Sequence, residues 1–225
     1  MNKKFNTIRY KHDFPFNKIE AVRFANVLKM IGSNKKVLDL GCGDGMFSKI
    51  ISDMGNDVTG IEIAEGAIKK CKKRGIKVYD LDLNSDWQKK LKEKFDVVYA
   101  GEIIEHIFDT DKFLTNILLA LKPSGHLVID TPNLASFGRR IFLAFGISPL
   151  IETTARSYDA GHIRYFTYDS LKNLLVENNF LPIRFVTDTI NFDPQGKVVD
   201  KFFVRIFPKL GKSLIFKCTK LNKKD

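Results

Sequence analysis

The sequence predicts an α/β protein, a mostly parallel sheet with helices on both faces. Three observations predict it. From residue 36 short β-rich runs alternate with amphipathic stretches, the rhythm of strands joined by crossover helices. The first of these runs, "KVLDL", ends in "GCGDG", and glycines at that density mark a sharp strand-to-helix bend. No internal repeat or low-complexity linker divides the 225 residues, a length that suits one large domain.

The elements follow in order. Asn17–Ile31 reads as an amphipathic helix ahead of the sheet. Lys36–Leu40, Asp57–Ile61, Lys77–Leu81, Phe95–Ala100 and His126–Thr131 read as strands, with helices at about 46–54, 64–73, 86–93 and 110–121 between them. In "LKPSGHLVID" a Pro and a Gly stop the fourth of these helices before the fifth strand begins. Tyr168–Asn178 is a further helix, Leu181–Thr187 a strand, and "KSLIFKCTK" alternates like a last strand.

One stretch breaks the rhythm. Residues 133–162 are apolar, carry the pair Arg139–Arg140, and follow the fifth strand. An insertion there stands above the carboxyl ends of the strands, where open α/β sheets bind ligands. It is expected to be a lid over the substrate or a helix lying on a membrane surface, with an ordinary packed helix as the plain alternative.

Composition narrows the function classes. Three scattered cysteines, Cys42, Cys71 and Cys218, form no CxxC pair. Neither a disulfide framework nor a cysteine–zinc site is expected, and a cytoplasmic setting fits. "MNKKFNTIRYKHDF" has no apolar core of a secretory signal, and no run of about 18 apolar residues suggests a membrane span. The net charge is +11, and residues 197–225, the basic C-terminal strand and tail, hold nine Lys or Arg against two acids. Such a tail suits an anionic lipid surface, nucleic acid or an anionic substrate, or is a solvated surface.

The glycine bend points to a nucleoside ligand at a helix N-terminus. Its spacing is GxGxG, where a dinucleotide fingerprint has GxGxxG, and Asp39 and Asp44 flank it. These acids would repel a pyrophosphate and suit a ligand with a cationic amino-acid end. Glu62, 21 residues after Gly41, ends the second strand and can accept hydrogen bonds from ribose hydroxyls. In "YDLDLN" Asp82, or less favourably Asp80, can accept from an adenine amino group while the Leu83 amide meets a ring nitrogen. The set fits S-adenosylmethionine better than NAD.

"VLDLGCGDGMFSK", "GIEIA", "DLDLN", "FDVVYAGEIIEHI" and "LKPSGHLVIDTPN", spanning roughly residues 35–133, resemble the successive motifs of class I S-adenosylmethionine-dependent methyltransferases. The resemblance implies a Rossmann-like, seven-stranded sheet whose last strand is antiparallel. It also implies a donor site built from Asp39, Gly41, Cys42, Gly43, Gly45, Glu62, Ile63, Asp82, Leu83, Gly101 and Glu102.

"GEIIEHI" carries a second signal. As a helical turn it would put Glu102, Glu105 and His106 on one face. They would hold a divalent cation, Mg²⁺ or Mn²⁺, with His162 of "DAGHIRYFT" as a further ligand. Alternatively His106, with Glu105, is the general base of a metal-free reaction, or these are packing residues. The ExxEH pattern resembles the ubiquinone-pathway O-methyltransferases and the small-RNA 2′-O-methyltransferases. It also resembles bacterial and archaeal methyltransferases associated with glycans. "GHIRYFT" lacks the fuller pattern of the RNA enzymes, which weighs against RNA. The expected activity is O-methylation of a small-molecule, glycan or quinone-like hydroxyl. An RNA 2′-O-methyltransferase and a non-catalytic donor-binding subunit are the alternatives, and the loop spacing disfavours an NAD-linked oxidoreductase.

Overall fold

The computed structural model describes residues 18–149, 161–191, 199–200 and 202–221. Helix α1 (Lys18–Ile31) precedes β1 (Lys36–Leu40), α2 (Met46–Asp53), β2 (Asp57–Glu62), α3 (Glu65–Lys73) and β3 (Lys77–Asp80). Then come β4 (Phe95–Gly101), α4 (Thr110–Ala120), β5 (Leu121–Pro132), α5 (Phe137–Ala144), α6 (Tyr168–Glu177), β6 (Phe180–Val186) and β7 (Ser213–Lys220). The seven strands form one sheet in the order β3-β2-β1-β4-β5-β7-β6. β7 runs antiparallel to both neighbours, β5 and β6, while β1 pairs in parallel with β2 and β4. This is the Rossmann-like sheet that the sequence predicts, its last strand included.

Successive strand residues point to opposite faces, and both faces are covered. Val37, Val97, Tyr99, Val128 and Ile215 meet Val27, Met30 and Ile31 of α1. On the other face Leu38, Val98 and Ile129 meet Phe113 and Ile117 of α4 and Leu171 and Leu175 of α6. Two-sided burial explains why the strands read as near-continuous apolar runs. Each such Leu, Ile or Val contributes about 1.5–3 kcal/mol.

Two elements depart from what the sequence predicts. The helix expected at 86–93 is a single 3-10 turn, Trp87–Lys90. Trp87 is fully buried with Leu83 and Phe95, and the backbone is already extended at Leu91, so the chain can reach β4. The fifth strand begins at Leu121 rather than His126. Its register jumps, pairing Phe95 with Leu121 and Val97 with His126, so Lys122–Gly125 form a bulge. A Cβ on Gly125 would lie 2.9 Å from the Phe95 carbonyl oxygen, which is why glycine stands there.

Of the expected insertion, α5 is described, and residues 150–160 lie outside the described residues. So do Asn17 and residues 197, 198, 201 and 222–225 of the basic C-terminal region. Among the described residues no helix is long and apolar enough to cross a membrane.

Candidate functional site

The bend after β1 depends on its glycines. Gly41, Gly43 and Gly45 have φ of 70°, 56° and 78°, the left-handed region that side chains resist. A Cβ on Gly41 would lie 2.7 Å from Ile103 Cδ1, and one on Gly45 2.7 Å from Cys71 Sγ. The Gly41 and Cys42 amides donate to the Ile61 carbonyl at 2.9 and 3.1 Å, which seats the bend against the end of β2. Beneath it Cys42 Sγ and Cys71 Sγ lie 3.6 Å apart. The contact with Cys71 and burial hold the Cys42 thiol well above its ordinary range. It is an unreactive packing group.

The acids around the bend have distinct roles. Asp39 is buried and accepts from Ser48 Oγ at 2.6 Å, and burial pushes its carboxyl up to about 6. Asp44 turns away to Arg74, at 3.1 Å. Glu62 accepts from Gly43 N at 3.0 Å with Oε2 and from Ile63 N and Ala64 N at 2.8 Å with Oε1. Three amides thus fix its position and leave about one of a carboxylate's four acceptor sites for a ligand. Asp82 is exposed and accepts from the Asn84 amide at 2.9 Å, and Leu83 beside it packs into the core.

The ExxEH stretch is not the single helical face that its spacing suggests. Glu102 has φ 51°, and only Ile104–His106 form a 3-10 turn. The Glu102 amide donates to the Asp130 carbonyl at 2.9 Å, and its carboxylate pairs with Arg23 Nη1 at 2.8 Å. Edge bonding to β5 and the pairing with Arg23 thus engage Glu102, which is not among the side chains whose ligand atoms meet at Glu105.

Glu105, His106 and His162 do converge. One ligand atom from each lies within 4.8 Å of the others. Glu105 is 1% exposed; its Oε2 accepts from Thr131 Oγ1 at 2.8 Å. Among the described residues its Oε1 accepts no hydrogen bond, and it lies 3.9 Å from His162 Nε2. Burial, then the charge of Glu102, pushes the Glu105 carboxyl well above the usual range. His106 Nδ1 lies 3.1 Å from the Gly161 carbonyl oxygen. A carbonyl only accepts, so Nδ1 carries the proton and Nε2 is the basic nitrogen. His162 is placed by the backbone: Ile163 N and Arg164 N donate to the Glu105 carbonyl at 3.0 and 3.1 Å. The side chain of Ile103, next to this turn, fills the space a Cβ on Gly41 would need, so the cluster adjoins the glycine bend.

Three further residues join the site, and sequence reasoning missed them. Asp130, fully buried at the end of β5, accepts from Tyr99 Oη at 2.8 Å and from Arg23 Nη1 at 3.0 Å. Burial holds its carboxyl up at about 7. Arg23 thus bridges α1 to the carboxyl ends of β4 and β5. The one available signal was an acid inside the apolar run "LVIDTP".

The methyltransferase domain family model matches residues 16–183. A mitochondrial ubiquinone biosynthesis O-methyltransferase of Schizosaccharomyces pombe is 29% identical over 159 residues, covering 66% of this chain and 56% of its own length. The chain spans about half the length of the curated relatives it matches. A SAM-dependent methyltransferase structure from Archaeoglobus fulgidus has TM-score 0.66 and 21% identity, covering 91% of this chain and 95% of that one. The N-methyltransferase NodS of Bradyrhizobium japonicum WM9, in complex with S-adenosyl-L-homocysteine, has TM-score 0.65 and 16% identity over 98% of this chain and all of its own. These two structures share the fold.

Proposed function

The chain belongs to the methyltransferase domain family, and on that premise we propose that it moves the methyl group of S-adenosylmethionine to a hydroxyl oxygen. The acceptor is a small molecule with neighbouring hydroxyls, of the quinone-precursor type. The observation that carries this reading is the buried, unbonded Oε1 of Glu105 facing His162 beside the glycine bend. A buried carboxylate oxygen with no donor is costly, and such atoms mark places where a ligand completes the structure.

The donor fits the residues of the bend. Glu62, held by three amides, presents its remaining acceptor site to a ribose hydroxyl. Asp82 and Leu83 border the adenine, with Ile63 at its side. Gly41–Gly45 let the methionine portion approach the backbone without Cβ atoms. Arg23, now shared between Glu102 and Asp130, is a cation available to the donor's carboxylate end, which Gly101 and Glu102 would flank.

In the reaction the acceptor oxygen attacks the methyl carbon and the carbon–sulfur bond breaks. S-adenosylhomocysteine leaves neutral, and the hydroxyl proton passes to a base. Without a metal ion, His106 Nε2 is that base, and the turn after β4 aligns the acceptor. With one, Glu105, His106 Nε2 and His162 would instead be the donor set for a divalent ion, and Nε2 would no longer take the proton. One carboxylate and two imidazoles suit Mn²⁺ better than Mg²⁺, because Glu102 is engaged with Arg23. Such an ion, when bound, lowers the pKa of a coordinated hydroxyl.

The test is transfer of labelled methyl from the donor to a catechol, run with chelator and with Mn²⁺ restored. Product methylated on oxygen, lost in Glu105→Ala, is the expected result. A chain that binds donor and leaves every catechol unmethylated would overturn the acceptor assignment.

A further inference from the structure

We propose that this chain docks on an anionic membrane surface through two apolar, cationic segments at the carboxyl-end rim of the sheet. The first is α5 with residues 145–149. The second is residues 202–210, which include the short helix Phe203–Ile206 and the 3-10 turn Pro208–Leu210. Of fifteen large apolar side chains exposed among the described residues, eight lie on these segments. The most exposed are Leu143 at 66% and Phe145 at 77% on the first, and Phe202 at 65% on the second, where Phe203, Ile206 and Phe207 are also more than half exposed. Exposed apolar side chains gathered in this way mark interaction surfaces rather than ordinary scatter.

The segments share one root. Asn133, just past β5, donates from Nδ2 to the Lys209 and Gly211 carbonyls at 3.0 and 2.8 Å, and its amide donates to the Lys212 carbonyl at 2.8 Å. Four residues on, α5 begins, and it packs against Ile190–Asn191. A half-open pocket of about 450 Å³ lies beside the second segment, lined by its own Val204, Arg205 and Pro208 together with Val186, Thr187 and Asp188.

Charge selects the occupant. Residues 133–149 and 202–212 contain five cations, Arg139, Arg140, Arg205, Lys209 and Lys212, and no Asp or Glu, while Asp200 accepts from the Phe203 amide at the start of the second segment. Lys209 pairs with Asp169, across on α6. Aromatic and aliphatic groups amid an excess of Lys and Arg over acids are the chemistry that seats a surface in the headgroup region of an anionic bilayer. Aliphatic side chains such as Ile141, Leu143 and Ile206 offer no stacking face to bases, so RNA fits less well.

The experiment sediments the full chain with phosphatidylcholine vesicles, with and without phosphatidylglycerol. Binding is expected only with phosphatidylglycerol, and is expected to fall at least about tenfold both in Phe203→Ser with Phe207→Ser and in Arg205→Gln with Lys212→Gln. An equal charge loss on the exposed face of α3, Lys69→Gln with Lys72→Gln, is expected to leave it in place. Unfolding midpoints close to the parent's establish that the variants fold. No binding to anionic vesicles, binding untouched by the rim variants, or equal loss with the α3 control would overturn the proposal. So would a dimer broken by the Phe substitutions without vesicle binding, or salt-sensitive RNA binding without it. The inference rests on the rim alone and stands whether or not methyl transfer is observed.

Discussion

Thr131 Oγ1 donates to Glu105 Oε2 at 2.8 Å and so fixes which oxygen of that carboxylate faces His162. One strand end thereby orients a side chain within a different turn. A partner behind a ligand typically governs about 10–100-fold in metal affinity. Thr131→Val is therefore expected to weaken Mn²⁺ binding by about that factor, and Thr131→Ser to restore most of it. Titration followed by the electron-spin signal of free Mn²⁺ measures both, and equal affinity in all three proteins would remove Thr131 from the site.

Gly41 is under two constraints, a φ of 70° and the 2.7 Å that would separate an added Cβ from Ile103 Cδ1. Gly41→Ala is expected to weaken S-adenosylhomocysteine binding at least tenfold, since left-handed backbone alone costs an alanine about 1–2 kcal/mol. Adding Ile103→Ala relieves the clash and leaves the backbone cost, so recovery is expected to be partial. Full recovery in the double variant would make the constraint purely steric.

Asp130 predicts a pH dependence of stability. Its carboxyl is raised from 3.8 to about 7 in the fold. Between those values it is protonated when folded and ionised when unfolded, so the folded state binds more protons. Its contribution is fully present below about 4 and is lost as pH rises through about 7. Asp130→Asn is expected to flatten the fall in urea midpoint over that window. Asp39, raised to about 6, acts in the same direction and leaves a residual slope. An unchanged slope in Asp130→Asn would show that the Asp130 carboxyl titrates near its unfolded value.

The sheet was legible because two-sided burial writes apolar runs into β1, β4 and β5, and because Gly41, Gly43 and Gly45 mark the bend. The turn at Trp87 was not. "WQKKLKEK" has helical composition, and burial of Trp87 in the core overrides it. Glu105, His106 and His162 were legible as residue types. Their meeting depends on Ile163 and Arg164 bonding the Glu105 carbonyl, a long-range contact no local spacing encodes. The pairing of Glu102 with Arg23, 79 positions earlier in the chain, was hidden for the same reason.

The donor assignment is tested most directly by calorimetric titration of the purified chain with S-adenosylhomocysteine, beside Glu62→Ala and with NAD⁺ as the competing ligand. One molecule bound per chain, markedly weakened binding in Glu62→Ala and no heat with NAD⁺ is the predicted result. A chain that takes up NAD⁺ and gives no heat with S-adenosylhomocysteine would contradict the account at its root.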